Sequence, residues 1–198
     1  KKIKFLSEKE PTRLPWKDLA VDVVVESTGL FTSYQKAKVH LDAGAKRVVI
    51  SAPAKDEAGS LTKGETILLG VNEEKFKGCV ISSNASCTTN AGSPLVAILD
   101  EEIGIEKAIL NTVHAYTASQ AIVDAPNKKD FREGRAGAQN IVPSSTGAAI
   151  ATTKAYPVLA GKFDGISIRV PVVAGSIVDI TFIAKRGTSK EEVNKILK

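Results

Sequence analysis

The chain has 198 residues, 43% of them hydrophobic, which is enough for one substantial core or two small ones in a globular protein. No run of about 18 apolar residues occurs, and the first residues lack the apolar block of a secretory signal, so we expect neither a membrane span nor export. The net charge of +5 suits anionic small molecules, whereas the dispersed lysines and arginines argue against a nucleic-acid interface.

The few cysteines and histidines exclude two classes of site. Cys79 and Cys87 are too few for a secreted disulfide framework, and reduced thiols in a cytoplasmic protein are the simpler interpretation. Two cysteines and two histidines also lack the paired short spacings of zinc ligands, so no metal site is expected. The sequence contains no methionine, so we expect it to begin within a longer protein.

The first half of the chain predicts a parallel α/β sheet. Short strands are predicted at residues 3–5, 20–26, 46–51, 66–70 and 79–82. The mostly β-branched run at 20–26 is typical of a strand that is buried on both faces. A helix is predicted over 34–43, with Thr32 and Gln35 as a capping box, and the succession of strand, helix and strand forms a βαβ unit. Residues 56–64 predict a surface loop.

The ends of two predicted strands are candidates for a ligand-binding edge, because parallel sheets bind ligands at the carboxyl ends of their strands. These ends are residues 27–31 and 51–53. Ordinary strand-end turns are the alternative interpretation. The phosphate-binding patterns Gly-x-Gly-x-x-Gly and Gly-x-x-x-x-Gly-Lys do not occur in the sequence.

The second half predicts a mixture of helices and strands. Helices are predicted at 91–102, with Pro94 inside, at 148–155, and after a capping box of Ser189 and Glu192; strands are predicted at 105–113, 162–172 and 176–184. The intervening residues 116–139 are long, polar and basic, and a loop of that length is more often functional than idle.

A candidate nucleophile lies between the two halves. Residues 83–90 read Ser-Asn-Ala-Ser-Cys-Thr-Thr-Asn and connect an apolar strand to a helix-like segment. A cysteine at such a junction, here Cys87, meets unpaired backbone N–H groups and the positive end of the helix dipole, which favour a thiolate. The neighbouring hydroxyls can cap the helix or donate to a bound phosphate. A small buried cysteine is the alternative.

This octet resembles the active-site motif of the phosphorylating glyceraldehyde-3-phosphate dehydrogenase family, and the similarity continues on both sides of it. The resemblance implies the latter half of a Rossmann-type dinucleotide-binding domain at residues 1–85. An α+β catalytic domain with a mostly antiparallel sheet is then expected at residues 86–198, incomplete at its C-terminus. It also implies that the chain is the central part of one subunit of a cytoplasmic homotetramer. Residues 116–139 resemble the S-loop of the family, which lies at a subunit interface.

The resemblance implies a role for individual residues. Cys87 is the expected nucleophile toward glyceraldehyde 3-phosphate, and His114 is the expected base. The resemblance places the substrate phosphate on Thr117 and Arg169. It places the attacking inorganic phosphate on Ser86, Thr88, Thr146 and Gly147, and Arg169 is able to serve both sites. The NAD site is carried over to Ser27, Thr28, Gly29, Phe31 and Ser51, with NADP left open.

Simpler roles remain open for some of these residues. Arg169 lies between apolar neighbours and needs an anionic partner, for which Asp179 is the structural alternative. Thr146 can be a helix cap only. His40, in the middle of a predicted helix, is expected to be a packed or surface residue. Arg132 and Arg135 either support the site or belong to a solvated charged loop.

Two departures and three alternatives accompany the resemblance. Ala91 stands where many members have a second cysteine, and the chain ends before the segment that supplies an asparagine to the nicotinamide.

Erythrose-4-phosphate dehydrogenase of the same fold would use the same Cys87 and His114. A non-catalytic relative that binds nucleic acid or protein is a second alternative, and a Cys–His hydrolase is disfavoured because no peptide-binding groove is identified.

Overall fold

A computed structural model of the chain describes residues 2–55, 61–128 and 130–198. The chain forms two compact units, and the division between them falls between Ser86 and Cys87 in the sequence. Each unit has a sheet and an apolar core of its own. Within the described residues, no helix combines the length and the apolar character that a membrane crossing requires.

The first unit contains a four-stranded parallel sheet. Its elements are β1 (Val23–Glu26), α1 (Tyr34–Ala37), α2 (Val39–Asp42), β2 (Arg47–Ile50), β3 (Glu65–Thr66) and β4 (Ile81–Ser83). The strand order is β1-β2-β4-β3, and every neighbouring pair is parallel. The predicted βαβ unit is therefore confirmed, with both short helices between β1 and β2.

One face of this sheet carries the core of the unit. Its buried side chains are Tyr34, Ala37, Val48, Ile50 and Ile81. In β1, Val24 is buried but Val25 is 62% exposed, because successive side chains of a strand point to opposite faces. The prediction of burial on both faces of this strand is wrong for the described residues.

Several local predictions in the first unit need correction. The predicted helix over 34–43 is interrupted at Lys38, and its cap is Ser33 rather than Thr32, because the extended backbone of Ser33 lets its Oγ accept from the Lys36 N–H at 3.2 Å. Residues 3–5 form no strand and leave Phe5 90% exposed, since a strand needs a pairing partner. Of the predicted strand 66–70, only Thr66 is paired. Within the predicted loop 56–64, residues 56–60 lie outside the described residues.

The second unit contains a mixed four-stranded sheet. Its elements are α3 (Cys87–Glu102), β5 (Ile105–Ala115), β6 (Val142–Ser144), α4 (Ala148–Ala155), β7 (Phe163–Val170), β8 (Ser176–Ala184) and α5 (Lys190–Ile196). The strand order is β6-β7-β5-β8, with β5 parallel to β7 and the other two pairs antiparallel. The prediction of a mostly antiparallel sheet is confirmed. The short edge strand β6 was not predicted, because Pro143 at its centre is uncommon in strands.

The core of the second unit lies between the sheet and the helices α3 and α4. Val96 and Leu99 of α3 pack with Leu110 of β5 and Leu159. A buried hydroxyl pair, Ser93 Oγ and Thr152 Oγ1 at 2.8 Å, links the two helices. Helix α3 begins at Cys87 rather than at residue 91, so the cysteine belongs to its first turn.

Candidate active site

The backbone before Cys87 turns sharply to begin α3. Ala85 has a φ of +58°, in the left-handed region that costs a side-chain-bearing residue roughly 1–2 kcal/mol. The fully buried Ser83 supports this turn, because its Oγ accepts from the Ala85 N–H at 3.1 Å and donates to the Ala52 carbonyl at 2.7 Å. The turn leaves Cys87 exposed at the positive end of a 16-residue helix, where a negative charge is favoured.

His114 reaches this cysteine from the end of β5. The Sγ of Cys87 lies 3.6 Å from the Nε2 of His114, although the two residues are 27 positions apart. The imidazole is half-buried, whereas the thiol is exposed. The structure thus joins a thiol and a base in the arrangement that nucleophilic catalysis requires.

Arg169 approaches the other nitrogen of the same imidazole. His114 and Arg169 are paired in the register of the parallel strands β5 and β7. One terminal guanidinium nitrogen lies 2.7 Å from His114 Nδ1, and the Ala115 carbonyl oxygen also lies 2.7 Å from Nδ1. Nδ1 holds either a proton or a lone pair, so only one of these contacts can be a hydrogen bond at a time.

The choice between the two contacts decides what Nε2 can do. When Nδ1–H donates to the Ala115 carbonyl, a neutral His114 has its lone pair on Nε2, next to the Cys87 sulfur. When Arg169 donates to Nδ1, the imidazole proton lies on Nε2 instead. In the first state, Nε2 can accept a proton on the side of the ring that faces Cys87. The same state leaves the guanidinium of Arg169 available for an anion.

The guanidinium has capacity for that anion. Its Nε is buried and, within the described part of the chain, has no hydrogen-bond partner. Asp179, the structural alternative, is in register with Asn111, three residues before His114 on β5. Because side chains alternate along a strand, Asp179 lies on the opposite face of the sheet from Arg169 and cannot be its partner.

Thr117 lies in a tight turn directly after β5. Its N–H donates to the Oε1 of Gln120 at 3.2 Å, and the Gln120 N–H donates to its carbonyl at 2.9 Å. Gln120 is 8% exposed and packs against Gly137, where a Cβ would lie 3.2 Å from Gln120 Nε2. Gln120 was not among the residues predicted to belong to the site, although its position three residues after Thr117 is the spacing of such a turn.

The remaining residues expected to bind phosphate lie at helix starts. Thr88 is buried in the first turn of α3, and Ser86 precedes that helix. The N-cap residue of α4 is the exposed Gly147, which has no side-chain cap. Thr146, one residue earlier, accepts from the Ala148 N–H with its Oγ1 at 3.1 Å, so it satisfies the first N–H of the helix from outside the cap position. Its role toward phosphate stays a prediction.

The long loop over 116–139 is braced by its own charges. Arg132 pairs with Asp130 at 2.6 Å and Arg135 with Asp124 at 3.2 Å. Hydrogen bonds from Arg132 hold the pKa of Asp130 below its usual range. The carboxylate of Glu133 accepts from Ser144 Oγ of β6 at 2.6 Å. Both arginines therefore have their ion-pair partners within the loop itself.

The residues expected to bind a dinucleotide lie at the carboxyl edge of the first sheet. Ser27, Thr28 and Gly29 follow β1 and are exposed, and Gly29 has a φ of +76° that favours glycine. Ser51 follows β2, and its N–H donates to the last carbonyl of β1 at 2.9 Å. Phe31 is half-buried. Parallel sheets bind ligands at this edge, and the assignment of a dinucleotide to these residues stays a prediction.

His40 is a packed residue, as expected, and 4% of it is exposed. Its ring lies in edge-to-face contact with Phe31, with the ring centroids 6.0 Å apart. Elsewhere in the described ranges, no group of three or more histidine, cysteine, aspartate or glutamate side chains is placed to hold a metal ion.

Comparison with known proteins identifies the family to which these sites belong. Residues 86–198 match the family model described as "Glyceraldehyde 3-phosphate dehydrogenase, C-terminal domain", and residues 1–34 match "Glyceraldehyde 3-phosphate dehydrogenase, NAD binding domain". Similar proteins include glyceraldehyde-3-phosphate dehydrogenase B of Aspergillus oryzae, 49% identical over 198 residues, which span 100% of this chain and 57% of that protein.

Bacterial relatives show the same coverage. Glyceraldehyde-3-phosphate dehydrogenase of Mycobacterium tuberculosis strain H37Rv is 54% identical over 199 residues, and that of Chlamydia muridarum is 50% identical over 200. Both alignments span 100% of this chain, and they span 57% and 58% of the respective relatives, so the chain corresponds to little more than half of their length. On these matches, the chain belongs to the glyceraldehyde 3-phosphate dehydrogenase family.

Proposed function

We propose that the complete protein containing this chain oxidises glyceraldehyde 3-phosphate and joins it to inorganic phosphate, giving 1,3-bisphosphoglycerate with NAD as the hydride acceptor. The observation that carries the proposal is the 3.6 Å contact between Cys87 Sγ and His114 Nε2 at the start of α3. Curated relatives named for this enzyme support it. A cytoplasmic location agrees with the two free cysteines.

Cys87 forms the covalent bond. Its sulfur attacks the aldehyde carbon, and the carbonyl oxygen takes up a proton to give a hemithioacetal. His114 Nε2 accepts that hydroxyl proton while the carbon gives up a hydride, which leaves a thioester on Cys87. Bound NAD supplies the acceptor for the hydride. An oxygen of inorganic phosphate then attacks the thioester carbon, the C–S bond breaks, and the thiolate of Cys87 is restored.

Arg169 supplies positive charge for the phosphate groups. Its strand position beside His114 and the free hydrogen-bonding capacity of its Nε support this role. Thr117 binds the substrate phosphate with Arg169, whereas Ser86, Thr88, Thr146 and Gly147 hold the attacking phosphate. Helix starts favour anions through their unpaired N–H groups, which supports the second assignment.

The first unit provides the NAD site and the second unit the chemistry. We place the dinucleotide on Ser27, Thr28, Gly29, Phe31 and Ser51, with residues 1–85 as the C-terminal part of the NAD-binding domain and 86–198 as the catalytic domain. The match of residues 86–198 to the C-terminal family model and the division beside Ser86 support this assignment.

The protein assembles as a homotetramer. The face of the second sheet opposite α3 and α4 carries exposed apolar side chains, including Ile109, Ile166, Ile177 and Ile183. Asn111 Oδ1 is buried on this face and has no hydrogen-bond partner in the described ranges. An exposed apolar sheet face with an unsatisfied amide is suited to a subunit interface.

The test measures NADH formation by the complete protein. Turnover of glyceraldehyde 3-phosphate should require inorganic phosphate, and Cys87→Ser should abolish it. Cys79→Ser is the matched control, because that thiol is buried and burial raises its pKa. Turnover retained by Cys87→Ser would contradict the proposal, and faster turnover of erythrose 4-phosphate would reassign the substrate.

A further inference from the structure

A buried polar network lies beneath the edge to which the NAD site is assigned. Its centre is the contact between His40 Nε2 and Glu26 Oε2 at 2.9 Å. Glu26 is the last residue of β1 and 3% exposed, and His40 lies in α2 and is 4% exposed. Neither residue belongs to the chemistry described above, yet isolating such polar groups from water is costly unless they are hydrogen-bonded.

The hydrogen bonds determine the tautomer of His40. Trp16 Nε1 lies 3.3 Å from His40 Nδ1, and an indole nitrogen can only donate. Nδ1 is therefore the acceptor and holds no proton, so the proton lies on Nε2 and is donated to Glu26. The imidazole is neutral in this arrangement, and Glu26 is the carboxylate that receives the bond.

The other oxygen of Glu26 holds the turn that follows β1. Glu26 Oε1 accepts from the Thr28 N–H at 2.8 Å and also from the Thr28 hydroxyl. The Thr28 Oγ1 in turn accepts from the Leu30 N–H at 3.1 Å. Burial opposes ionisation of Glu26, but the bonds from Thr28 and His40 outweigh it and hold the pKa of the carboxyl below its usual 4.5.

The network thus reaches residues of the assigned NAD site from two sides. Thr28 is bonded directly to Glu26, and Phe31 packs edge-to-face on the ring of His40. Donors and acceptors form one chain from Trp16 through His40 and Glu26 to Thr28. A change in any central member alters the support of the turn at residues 27–31.

We propose that Glu26 and His40 are positioning residues for the cofactor: they hold the 27–31 turn in its binding conformation and so set the affinity for NAD. This inference rests on the proposed function, since it takes NAD as the ligand of that turn. Pre-ordered turns bind more tightly because less conformational entropy is lost on binding.

The test compares variants of the complete protein by calorimetric titration with NAD. His40→Leu removes the donor to Glu26 and the acceptor for Trp16, and should weaken NAD binding by about tenfold, the factor expected for a lost hydrogen bond. His40→Gln keeps an amide donor and should recover part of the affinity. The rate at which iodoacetamide alkylates Cys87 without NAD should remain that of the unmodified protein.

Asn72→Leu is the matched control for simple destabilisation. Asn72 is equally buried in the first unit, accepts from the Leu68 N–H at 2.8 Å and donates to the Thr66 carbonyl at 2.9 Å. None of the described hydrogen bonds joins Asn72 to the 27–31 turn, so this variant should lower the melting temperature and leave the NAD dissociation constant unchanged.

The outcomes separate this inference from the proposed function. Equal NAD affinity in His40→Leu, Glu26→Gln and the unmodified protein would overturn the positioning role alone. A loss of NAD affinity in Asn72→Leu as large as that in His40→Leu would also overturn the positioning role alone. Failure of the unmodified protein to bind NAD would overturn both proposals.

Discussion

Replacement of His114 by asparagine tests the chemistry most directly. The variant removes the ring nitrogen that lies 3.6 Å from Cys87 Sγ, and the amide that replaces it is not a base. A positioned general base typically contributes 10²–10⁴-fold to the rate, or about 3–5 kcal/mol of activation free energy. We expect kcat of the complete protein to decrease by a factor within that range.

The same variant also has a cost in stability, which must be separated from the loss in rate. The variant removes the ring nitrogen Nδ1, which bonds either the Ala115 carbonyl or Arg169, while Arg169 keeps its contact of 3.4 Å to that carbonyl. The net contribution of one hydrogen bond to stability is about 0.5–1.5 kcal/mol. Urea unfolding of His114→Asn should show a decrease no larger than that, with the variant still folded in buffer.

The assay is the transient appearance of NADH after mixing with glyceraldehyde 3-phosphate, which reports the oxidation step separately from product release. Ser93→Ala is the matched control, because it breaks the 2.8 Å hydroxyl pair with Thr152 and loses stability in the same unit without touching the site. A His114→Asn rate within about threefold of the unmodified rate would refute the role of His114 as the base.

Three further predictions concern the start of α4, acid stability and packing. Thr146→Val should destabilise the protein by about 1 kcal/mol in urea unfolding, because the hydrogen bond to the first N–H of α4 is lost, and should raise KM for inorganic phosphate. The pKa of Glu26 lies below its usual 4.5 in the folded protein, because the groups that donate hydrogen bonds to it outweigh the effect of burial. The ionised carboxylate therefore contributes its full stabilisation above pH 4.5, and this stabilisation is lost as the pH falls through the lowered pKa of the folded state. The difference in unfolding free energy between the unmodified protein and Glu26→Gln should then narrow below pH 4.5. Gly165→Ala should destabilise by about 1–3 kcal/mol, since the new Cβ would lie 2.9 Å from the backbone oxygen of Leu110.

Each of these predictions has its own control. Thr146→Ser keeps the oxygen that accepts from the Ala148 N–H, so a loss of stability equal to that of Thr146→Val would argue against a contribution from this hydrogen bond. If the difference in unfolding free energy between Glu26→Gln and the unmodified protein does not change with pH, the ionised carboxylate is not specifically stabilised by the fold. Gly187→Ala meets open space and should be neutral, so equal effects at Gly165 and Gly187 would exclude the steric explanation.

Local sequence patterns were sufficient to predict those features that depend on residues close together in the chain. The octet around Cys87 indicated the nucleophile and the family, and the strand, helix and strand succession indicated the parallel sheet that the structure contains. These signals are local because turn chemistry, capping and strand periodicity act over a few residues. Even so, helix α3 begins earlier than predicted, and the helix over 34–43 is interrupted at Lys38.

Contacts between distant residues needed the tertiary structure. Whether His114 faces Cys87 depends on how β5 packs beside α3, and which group meets its Nδ1 depends on the register of β5 with β7. The same holds for Glu26 and His40, which are 14 residues apart and appear in the sequence as an ordinary strand end and an ordinary helical residue. Hydrogen-bond direction, burial and tautomer are properties of the folded surroundings, so the sequence determined which groups are present and the fold decided which of them act together.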